Sequence, residues 1–550
     1  MRQKQSTMMT ILPQLIQALT ETIQSLGYPE KEIKLSPPNN PEFGDLSTNL
    51  PLTLTKDLKL DPMAIAETIK DELNLSDANI DVITVTPPGF LNFIIGNTYY
   101  HQVLSEILEN EQYGRGKSGE GLTANVEFVS ANPTGPLTVG HGRNAVLGDT
   151  VANILEWNGY RVTREYYFND AGRQMRILGE SVEARYFELI GEKISFPKDG
   201  YEGNYIKTIS QSVLNEFGDN LEPENEKFKS HAEKVIFEDI KKSLLKLGIH
   251  FDQFTNEKTF YDNGEIDQLL EELKNKDLIY NKDGATWFRT TALGKEQDRV
   301  YIKSTGEPTY RVPDTAYHRD KIKRNFDLII DVFGADHADT YPDVILALEA
   351  LGMKTDHIRV LLYQFVTLIQ KGEKVKMSTR KANFVTLDEL VDVVGADVVR
   401  YFFIMRSMNS HLNFDLDLAK DQSEKNPVYY LQYAYARICN IIKNGEFIGK
   451  VSDYSQYDAS LLTHPSEIKL LKQLEQFPVI IENTLESLEP QSVASFLHDT
   501  ANRFHKFYAN CRVLTDDSQL SQSRLALVQG TRVVIKNGLD LLGISAPERM

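Results

Sequence analysis

Two short segments hold the residue types that could bind a nucleoside triphosphate. The first is Ser-Ala-Asn-Pro-Thr-Gly-Pro-Leu-Thr-Val-Gly-His-Gly-Arg, residues 130–143, and the second is Lys-Met-Ser-Thr-Arg-Lys, residues 376–381. The first lies between a predicted strand and a predicted helix, where backbone N–H groups and the positive helix end can face a phosphate. The second is basic, since residues 371–381 hold five cations against one acid, Glu373. We therefore expect a phosphate-binding turn and a loop that closes over the same triphosphate.

The side chains of the first segment have distinct uses. Gly140 and Gly142 let the backbone approach phosphates closely, and His141 can donate to a phosphoryl oxygen where charge develops. Taken alone, each segment also fits a plainer interpretation: a glycine-rich turn capped by a histidine, or a solvated run of charge. The occurrence of both segments in one chain favours a binding site for a nucleoside triphosphate.

Asp336 and His337 form another polar group near the predicted sheet. They follow a mostly apolar strand at 326–333, and open α/β sheets bind ligands at the carboxyl ends of their strands. A purely structural Asp-His pair would look the same in the sequence.

Glu257, Tyr310 and Asp314 could bind a guanidinium. This group is planar and always charged, and carboxylates hold it best in fork geometry with an aromatic face alongside. Asp314 follows Tyr310 by four positions. Few Tyr-x-x-x-Asp pairs are ligand sites, so the spacing alone does not decide.

The elements that must position these residues alternate between strand and helix. Strands are predicted at 125–129, 161–168, 326–333 and 358–368, and helices at 147–155 and 341–351. Helical spacing recurs at 177–190, 205–217 and 228–247. The pattern indicates a Rossmann-like, parallel-sheet catalytic domain at 120–385 with a helical insertion at about 173–325.

The flanking regions differ from this core. Residues 1–115 predict an N-terminal α+β domain with helices from residue 11 and at 62–73 and paired strands within 80–95. Residues 386–550 predict an all-α bundle with helices at 427–444, 467–488, 491–510 and 522–542. The fold class is therefore multidomain α/β.

Composition excludes several protein classes. No apolar run reaches the ~18 residues of a membrane span, and the two cysteines cannot build a disulfide framework or a four-ligand zinc site. A reducing cytoplasm fits both observations. The net charge of −18 opposes nucleic-acid binding, but residues 421–550 hold 13 Lys and Arg against 15 Asp and Glu. A near-neutral C-terminal region leaves a specific RNA partner open.

The two segments, in this order, resemble the signature motifs of class I aminoacyl-tRNA synthetases. Residues 125–149 resemble the corresponding block of bacterial-type arginyl-tRNA synthetases nearly residue for residue. The neighbourhoods of Glu257 and Asp314 resemble the arginine-binding blocks of that family. The resemblance extends from about residue 37 to residue 550, and residues 426–437 and 547–550 resemble its anticodon-binding region.

The resemblance implies roles for particular residues. The implied catalytic residues are His141, Lys376 and Arg380. The implied ATP-binding residues are Thr138, Gly140, His141, Asp336, His337, Lys376, Met377 and Ser378. The implied arginine-binding residues are Asn132, Glu257, Tyr310 and Asp314. The implied tRNA-binding residues are Tyr429, Tyr430, Gln432, Tyr433 and Met550, a set whose aromatic and amide groups can stack on and read unpaired bases. A tyrosine-rich core helix is the alternative for this last set.

Two positions depart from the family motifs. Thr138 stands where the first motif usually begins with His, and Thr379 stands where the second usually ends in Lys. Lys376, Arg380 and Mg²⁺ are expected to supply the positive charge around the triphosphate.

The implied function is ATP-dependent ligation of arginine to its tRNA through an arginyl-adenylate. We expect a cytoplasmic monomer that uses ATP with Mg²⁺, has no metal site of its own and needs bound tRNA for activation. Paired hydrogen bonds to a guanidinium would also reject lysine without editing. Two alternatives remain: a nucleotidyltransferase acting on a small substrate, and a non-catalytic tRNA-binding paralogue.

Overall fold

The computed structural model describes residues 7–75, 79–168, 170, 172–375, 386–447, 449 and 457–550. The predicted site residues Lys376, Met377, Ser378 and Arg380 lie outside the described residues. Among the described helices, none combines the length and the apolar character needed to cross a membrane.

The N-terminal region is a three-stranded antiparallel sheet with helices, in the strand order β1-β3-β2. Its elements are α1 (Thr7–Ser25), β1 (Leu46–Thr48), α2 (Leu50–Leu58), α3 (Pro62–Glu72), β2 (Ile80–Thr86), β3 (Phe90–Ile95) and α4 (Asn97–Glu109). The predicted α+β class is confirmed, and the four-residue spacing of α1 reflects burial of Ile11, Leu15, Leu19 and Ile23. Helices α2 and α4 were not predicted.

The central region is a five-stranded parallel sheet in the order β11-β10-β4-β5-β6. Its strands are β4 (Thr123–Glu127), β5 (Arg161–Phe168), β6 (Gln253–Asn256), β10 (Leu328–Gly334) and β11 (Ile358–Tyr363). Helices α5 (Val139–Trp157) and α12 (Tyr341–Ala350) follow β4 and β10. The predicted Rossmann-like arrangement is confirmed.

The segment expected to be a helical insertion contains more than helices. Its elements besides β6 are α6 (Arg173–Leu189), α7 (Asn204–Phe217), α8 (Glu226–Lys246), α9 (Glu257–Asp262), α10 (Glu265–Asn275), β7 (Ile279–Lys282), β8 (Ala285–Phe288), β9 (Arg299–Ile302) and α11 (Arg311–Lys323). The three predicted helices α6 to α8 are present. However, β6 joins the main sheet, and β7, β8 and β9 form a separate antiparallel sheet. These strands have four residues each, which is too short for a clear alternation of apolar and polar residues.

The predicted strand at 358–368 is two strands in different sheets. Strand β11 ends at Tyr363, and β12 (Val366–Gln370) pairs with β13 (Glu373–Lys374) and, in parallel, with β14 (Leu412–Asp415). The chain leaves the main sheet at Gln364, whose N–H donates to the Met408 carbonyl. The expectation of an all-helical region after residue 386 was therefore wrong at β14.

The rest of the C-terminal region is helical, as predicted. Its helices are α13 (Leu387–Val394), α14 (Ala396–Ile404), α15 (Leu416–Lys420), α16 (Pro427–Phe447), α17 (Pro465–Glu475), α18 (Phe477–Ser487), α19 (Gln491–Asn510) and α20 (Ser518–Leu541). The single helix predicted at 467–488 divides into α17 and α18 at Gln476. Pro478 lies in the first turn of α18, where a missing N–H costs no helical hydrogen bond.

Two buried arginines attach α5 to the rest of the molecule. Arg143 donates to three backbone carbonyls beyond the main sheet, those of Gln364, Ser407 and Ser410. Arg400, on α14, donates to Asp149 on α5 and to the carbonyls of Leu247 and Leu542, at the ends of α8 and α20. Helix α5 is thereby fixed relative to both the insertion and the C-terminal region.

Candidate active site

The polar residues singled out in the sequence follow the carboxyl ends of parallel strands. The turn at 128–138 follows β4, Glu257 follows β6 directly, and Asp336 lies two residues after β10. Because β6, β5, β4 and β10 are neighbours in one parallel sheet, these residues share one edge. This is the edge at which such sheets bind ligands.

The turn between β4 and α5 is held in a strained conformation. Val129 and Ser130 adopt φ values of 65° and 40°, which β-branched and other side chains rarely adopt. The Asn144 side chain accepts from the Val129 N–H at 2.6 Å, and the Tyr166 hydroxyl donates to the Ala131 carbonyl at 2.8 Å. Strain stabilised by several contacts is typical of ligand-binding turns.

His141 caps α5 while remaining able to donate a hydrogen bond. The Thr138 N–H donates to His141 Nδ1 at 3.2 Å, and Thr138 Oγ1 accepts from the His141 N–H at 3.5 Å. Burial lowers the pKa of His141 to about 4, so the ring is neutral. Because Nδ1 accepts, the ring proton is on Nε2. The capping interpretation and the phosphate-binding interpretation are therefore compatible, since His141 offers one neutral Nε2–H donor.

The two glycines beside His141 have different surroundings. A Cβ on Gly140 would meet only Thr138 Oγ1, at 3.7 Å. A Cβ on Gly142 would lie 2.5 Å from Leu387 Cδ1 and 3.1 Å from Phe403 Cε2. Gly142 thus permits α5 to pack against α13 and α14, which corrects the expectation that it frees backbone for a phosphate. Gly140 retains that capacity.

The first segment lies beside Thr386, five residues after the end of the second segment. Thr386 forms an antiparallel bridge with Thr138, and the Leu387 N–H donates to the Leu137 carbonyl at 2.8 Å. Thr386 and Glu389 form a capping box, since they exchange hydrogen bonds at the start of α13. The start of α13, which follows residues 376–385 in the sequence, is therefore hydrogen-bonded to the turn that holds His141.

Asp336 and His337 lie in a three-residue helical turn directly after β10. Both side chains are exposed, and the His337 ring stacks on Phe333 with a centroid distance of 5.3 Å. Their exposure at the carboxyl edge leaves their polar atoms available to a ligand.

Glu257 and Asp314 are carboxylates that no described cationic side chain contacts directly. Among the ion pairs of the described residues, neither takes part in one. Burial raises the pKa of Glu257 to about 7, with Asp314 adding to the effect. Burial also raises the pKa of Asp314 to about 6. Two neighbouring acids that form no direct ion pair among the described residues make a site suited to a cationic ligand.

Glu257 and Tyr310 line a cleft of about 670 Å³. Glu257 is only 5% exposed and accepts from the Tyr167 hydroxyl at 3.1 Å, whereas Tyr310, immediately before α11, is 58% exposed. Asp314 lies in the first turn of α11 and lines an adjoining small cavity with His337. The structure therefore brings the predicted guanidinium ligands to one region.

Asn132 is hydrogen-bonded to a residue that lines the same cleft and that the sequence did not indicate. Its Nδ2 donates to Gln174 Oε1 at 2.6 Å, and Gln174 lines the cleft together with Tyr261. Sequence reasoning also missed Tyr167. Its position as the second-last residue of β5, at the ligand-binding edge, is the signal that could have found it.

An aromatic surface lies between α16 and α19. The Tyr429 and Tyr433 rings are nearly parallel, with centroids 6.3 Å apart, and the Arg437 guanidinium lies 4.8 Å from the Tyr433 centroid. The Tyr430 hydroxyl donates to Asn502 on α19 at 2.7 Å. These tyrosines are half-buried, so each keeps part of its ring accessible.

Gln432 and Met550 are the other two predicted tRNA-binding residues, and their surroundings differ from those of the tyrosines. Gln432 Nε2 donates to Asp397 and to the Ser545 carbonyl, so its amide nitrogen holds the C-terminal segment in place. Its tRNA-binding role stays a prediction. Met550 is 55% exposed.

Three family models match the chain in the order of these regions. They describe the arginyl tRNA synthetase N-terminal domain at residues 13–95, the catalytic domain of class I tRNA synthetases (R) at 102–400, and the DALR anticodon binding domain at 431–550. The catalytic match covers more than half of the chain.

The chain belongs to the arginyl-tRNA synthetase family. It is similar to the arginine–tRNA ligase of Desulfotalea psychrophila, with 50% identity over 93% of this chain and 94% of that one. The arginine–tRNA ligase of Salinibacter ruber is 49% identical over 94% of this chain and 96% of its own. The Thermus thermophilus arginyl-tRNA synthetase has the same fold, with a TM-score of 0.75 and 23% identity over 98% of this chain and 99% of that one.

Membership in the arginyl-tRNA synthetase family makes the chain an arginine–tRNA ligase that acts in protein synthesis. Thr138, the departure in the first motif, is the N-cap of α5. A threonine hydroxyl is among the better N-caps, so the substitution retains the helix start while it removes a charge. Thr379, the departure in the second motif, lies outside the described residues.

Proposed function

We propose that Glu257 and Asp314 bind the arginine guanidinium while Asn132 binds the main-chain groups and Tyr310 covers the side chain. The observation that carries this proposal is the pairing of buried Glu257 with half-buried Asp314, neither of which has an ion-pair partner among the described residues. A guanidinium presents five N–H donors in a plane, so it can satisfy both carboxylates at once. Lysine offers three donors at a single point and would leave acceptors unpaired.

We infer that ATP binds over the start of α5. His141 Nε2–H and the open space at Gly140 face the phosphates in this proposal, with Thr138, Asp336 and His337 around the nucleotide. Lys376, Met377, Ser378 and Arg380 complete the set in the sequence motif. ATP is expected to arrive with Mg²⁺, which offsets part of the phosphate charge.

The proposed reaction has two steps. A carboxylate oxygen of arginine forms a bond to the α-phosphorus of ATP, and the bond to the β-phosphate breaks, which gives arginyl-adenylate and diphosphate. A hydroxyl of the terminal tRNA ribose then attacks the arginyl carbonyl and releases AMP. No protein nucleophile is needed, because positioning and stabilisation of the developing charge supply the rate. His141 donates to phosphate oxygen throughout and does not change its protonation state.

The two flanking regions are proposed to bind tRNA. Tyr429, Tyr430 and Tyr433 offer half-buried rings on which unpaired bases can stack, and Met550 lies exposed at the chain end. We propose that the enzyme works as a cytoplasmic monomer.

An Asp314→Asn variant tests the arginine pocket. We expect its KM for arginine to rise at least tenfold while its KM for ATP changes less than twofold. Asp320→Asn is the matched control, because Asp320 lies on the same helix and pairs with Arg324. Equal effects of Asp314→Asn on both KM values would remove Asp314 from the pocket.

A further inference from the structure

His318 is a buried histidine whose two ring nitrogens both face hydrogen-bond acceptors. It lies on α11, one turn after Asp314, and is 5% exposed. Its Nδ1 is 2.8 Å from the Asp314 carbonyl oxygen, and its Nε2 is 3.0 Å from Asp331 Oδ2. A carbonyl oxygen can only accept, so Nδ1 carries a proton.

The partner of Nε2 is an ionised carboxylate. Lys321 Nζ lies 2.5 Å from Asp331 Oδ1 and 2.5 Å from Glu127 Oε2. Although burial alone would raise it, Lys321 and His318 hold the pKa of Asp331 well below its ordinary value. An ionised carboxylate has no proton to donate, so Nε2 of His318 also carries one. Both nitrogens are therefore protonated, and the ring is an imidazolium.

Electrostatics support a charged ring at this buried position. Burial alone would lower the pKa of His318, but Asp331 reverses this and the pKa is raised. The charged and titratable groups around it come from four elements: Asp314 and Lys321 from α11, Asp331 from β10, Glu127 from β4 and His337 from the turn after β10. Lys321 and His318 together balance the charges of Glu127 and Asp331.

The position of Glu127, His318 and Asp331 also resembles a metal site, since their ligand atoms lie within 4.8 Å of one another. The Lys321 ammonium lies between the two carboxylates at hydrogen-bond distance from both. A metal ion at that point would meet a fixed positive charge. The cluster is therefore an ion-pair network and not a metal site. It acts through the residue next to it in the structure.

The group that it adjoins is Asp314. Burial raises the pKa of Asp314, and among the charges around it His318 lowers that pKa the most. The same ring holds the Asp314 backbone carbonyl and joins it to the centre of the sheet through Asp331. Charge and geometry thus act on the same residue.

We propose that His318 is a positioning residue whose positive charge keeps Asp314 ionised for the arginine guanidinium. The inference rests on the proposed place of Asp314 in the arginine pocket. A positive charge behind the carboxylate lowers the cost of ionising a carboxyl that is shielded from water, and only the ionised form attracts the guanidinium. His318 lies one helical turn from Asp314, and a nearby opposite charge lowers a carboxyl pKa by roughly 1–3 units, which is enough to decide the charge of Asp314 at neutral pH.

The test replaces His318 with a neutral hydrogen-bond donor. His318→Gln places an amide near Nε2, and His318→Asn places one near Nδ1, so each retains one hydrogen bond without the charge. KM for arginine and for ATP is measured between pH 6 and 9. We expect the acidic rise in the arginine KM to move upward by about one pH unit or more, with the ATP profile unchanged. An unshifted arginine profile would overturn the inference.

The Asp314→Asn background separates charge from structure. In that background a change at His318 should cause no further pH shift, because Asp314 no longer titrates and His318 is not among the groups that shift the pKa of Glu257. A shift of the same size there would overturn the inference. If Asp314→Asn alone leaves the arginine KM unchanged, the pocket assignment fails instead, and the two failures are thus distinguishable.

A measurement on the unaltered enzyme keeps the inference testable if the variants do not fold. The chain has 11 histidines, and ¹⁵N labelling of their rings distinguishes imidazolium from neutral forms. We expect one ring to remain doubly protonated at pH 8.5, while exposed histidines have lost their charge. A spectrum in which every histidine is neutral at that pH would refute the charged state of His318.

Discussion

Replacing Glu257 with Gln should weaken arginine binding and also stabilise the arginine-free protein. Burial raises the carboxyl pKa from 4.5 to about 7, and the side chain is only 5% exposed. At about 1.4 kcal/mol per pKa unit, ionising Glu257 in the folded protein costs about 3 kcal/mol. The Gln side chain avoids this cost, and its amide oxygen can still accept from Tyr167.

The stabilisation depends on pH in a defined direction. The folded pKa lies above the unfolded value, so the native state retains a proton that the unfolded chain has lost. The contribution of Glu257 to stability is therefore fully present below about pH 4.5 and disappears as the pH rises through about 7. The advantage of Glu257→Gln should thus be near zero at pH 4.5 and reach up to about 3 kcal/mol at pH 8.

The binding loss has the opposite sign. A hydrogen bond to a charged group contributes about 1.5–3 kcal/mol, so the KM for arginine should rise roughly 10- to 150-fold. The assay combines thermal unfolding at pH 5 and pH 8, with and without arginine, and steady-state kinetics. Arginine should raise the unfolding temperature of the parent protein far more than that of the variant.

The matched control is Glu271→Gln, a change of the same kind at an exposed position on α10. It should alter neither the unfolding temperature nor the arginine KM. If Glu257→Gln lowers stability at pH 8, or stabilises equally at pH 5 and pH 8, the charge of Glu257 is not the cause and the reasoning is refuted.

Three further outcomes are expected. The kcat/KM for arginine should fall below about pH 7 as Glu257 and then Asp314 become protonated, whereas the KM for ATP should stay level; a level arginine profile would contradict the pocket. Gly142→Ala should destabilise the protein by about 1–3 kcal/mol in thermal unfolding, because its methyl group would collide with the Leu387 side chain of α13. Gly140→Ala should retain stability and raise the KM for ATP. The reverse pattern would exchange the roles of the two glycines. Tyr433→Ala should raise the KM for tRNA at least threefold without changing that for arginine, and an unchanged tRNA KM would place the aromatic surface outside the RNA interface.

Long periodic elements could be predicted from the sequence, and short ones could not. Helix α1 was evident because Ile11, Leu15, Leu19 and Ile23 repeat on one face and are buried. Strands β6 and β14 have four residues each, and their pairing partners lie far away in the chain. Tertiary pairing, which no local pattern reports, decides such elements.

The site was predictable where residue chemistry and resemblance coincided. His141 and Asp336 come after strands, at the ligand-binding edge, and the resemblance decided between a ligand-binding and a structural role for them. Glu257 and Asp314 needed the resemblance, because their spacing is ordinary. His318 was missed because a histidine inside a helix shows no sign in the sequence that both of its nitrogens face acceptors.

The direct test of the proposed function is ATP–diphosphate exchange, measured with arginine or lysine and with or without tRNA. We expect exchange with arginine when tRNA is bound and none with lysine under either condition. Absence of arginine-dependent exchange both with and without tRNA would contradict the proposed reaction and would favour a non-catalytic tRNA-binding protein.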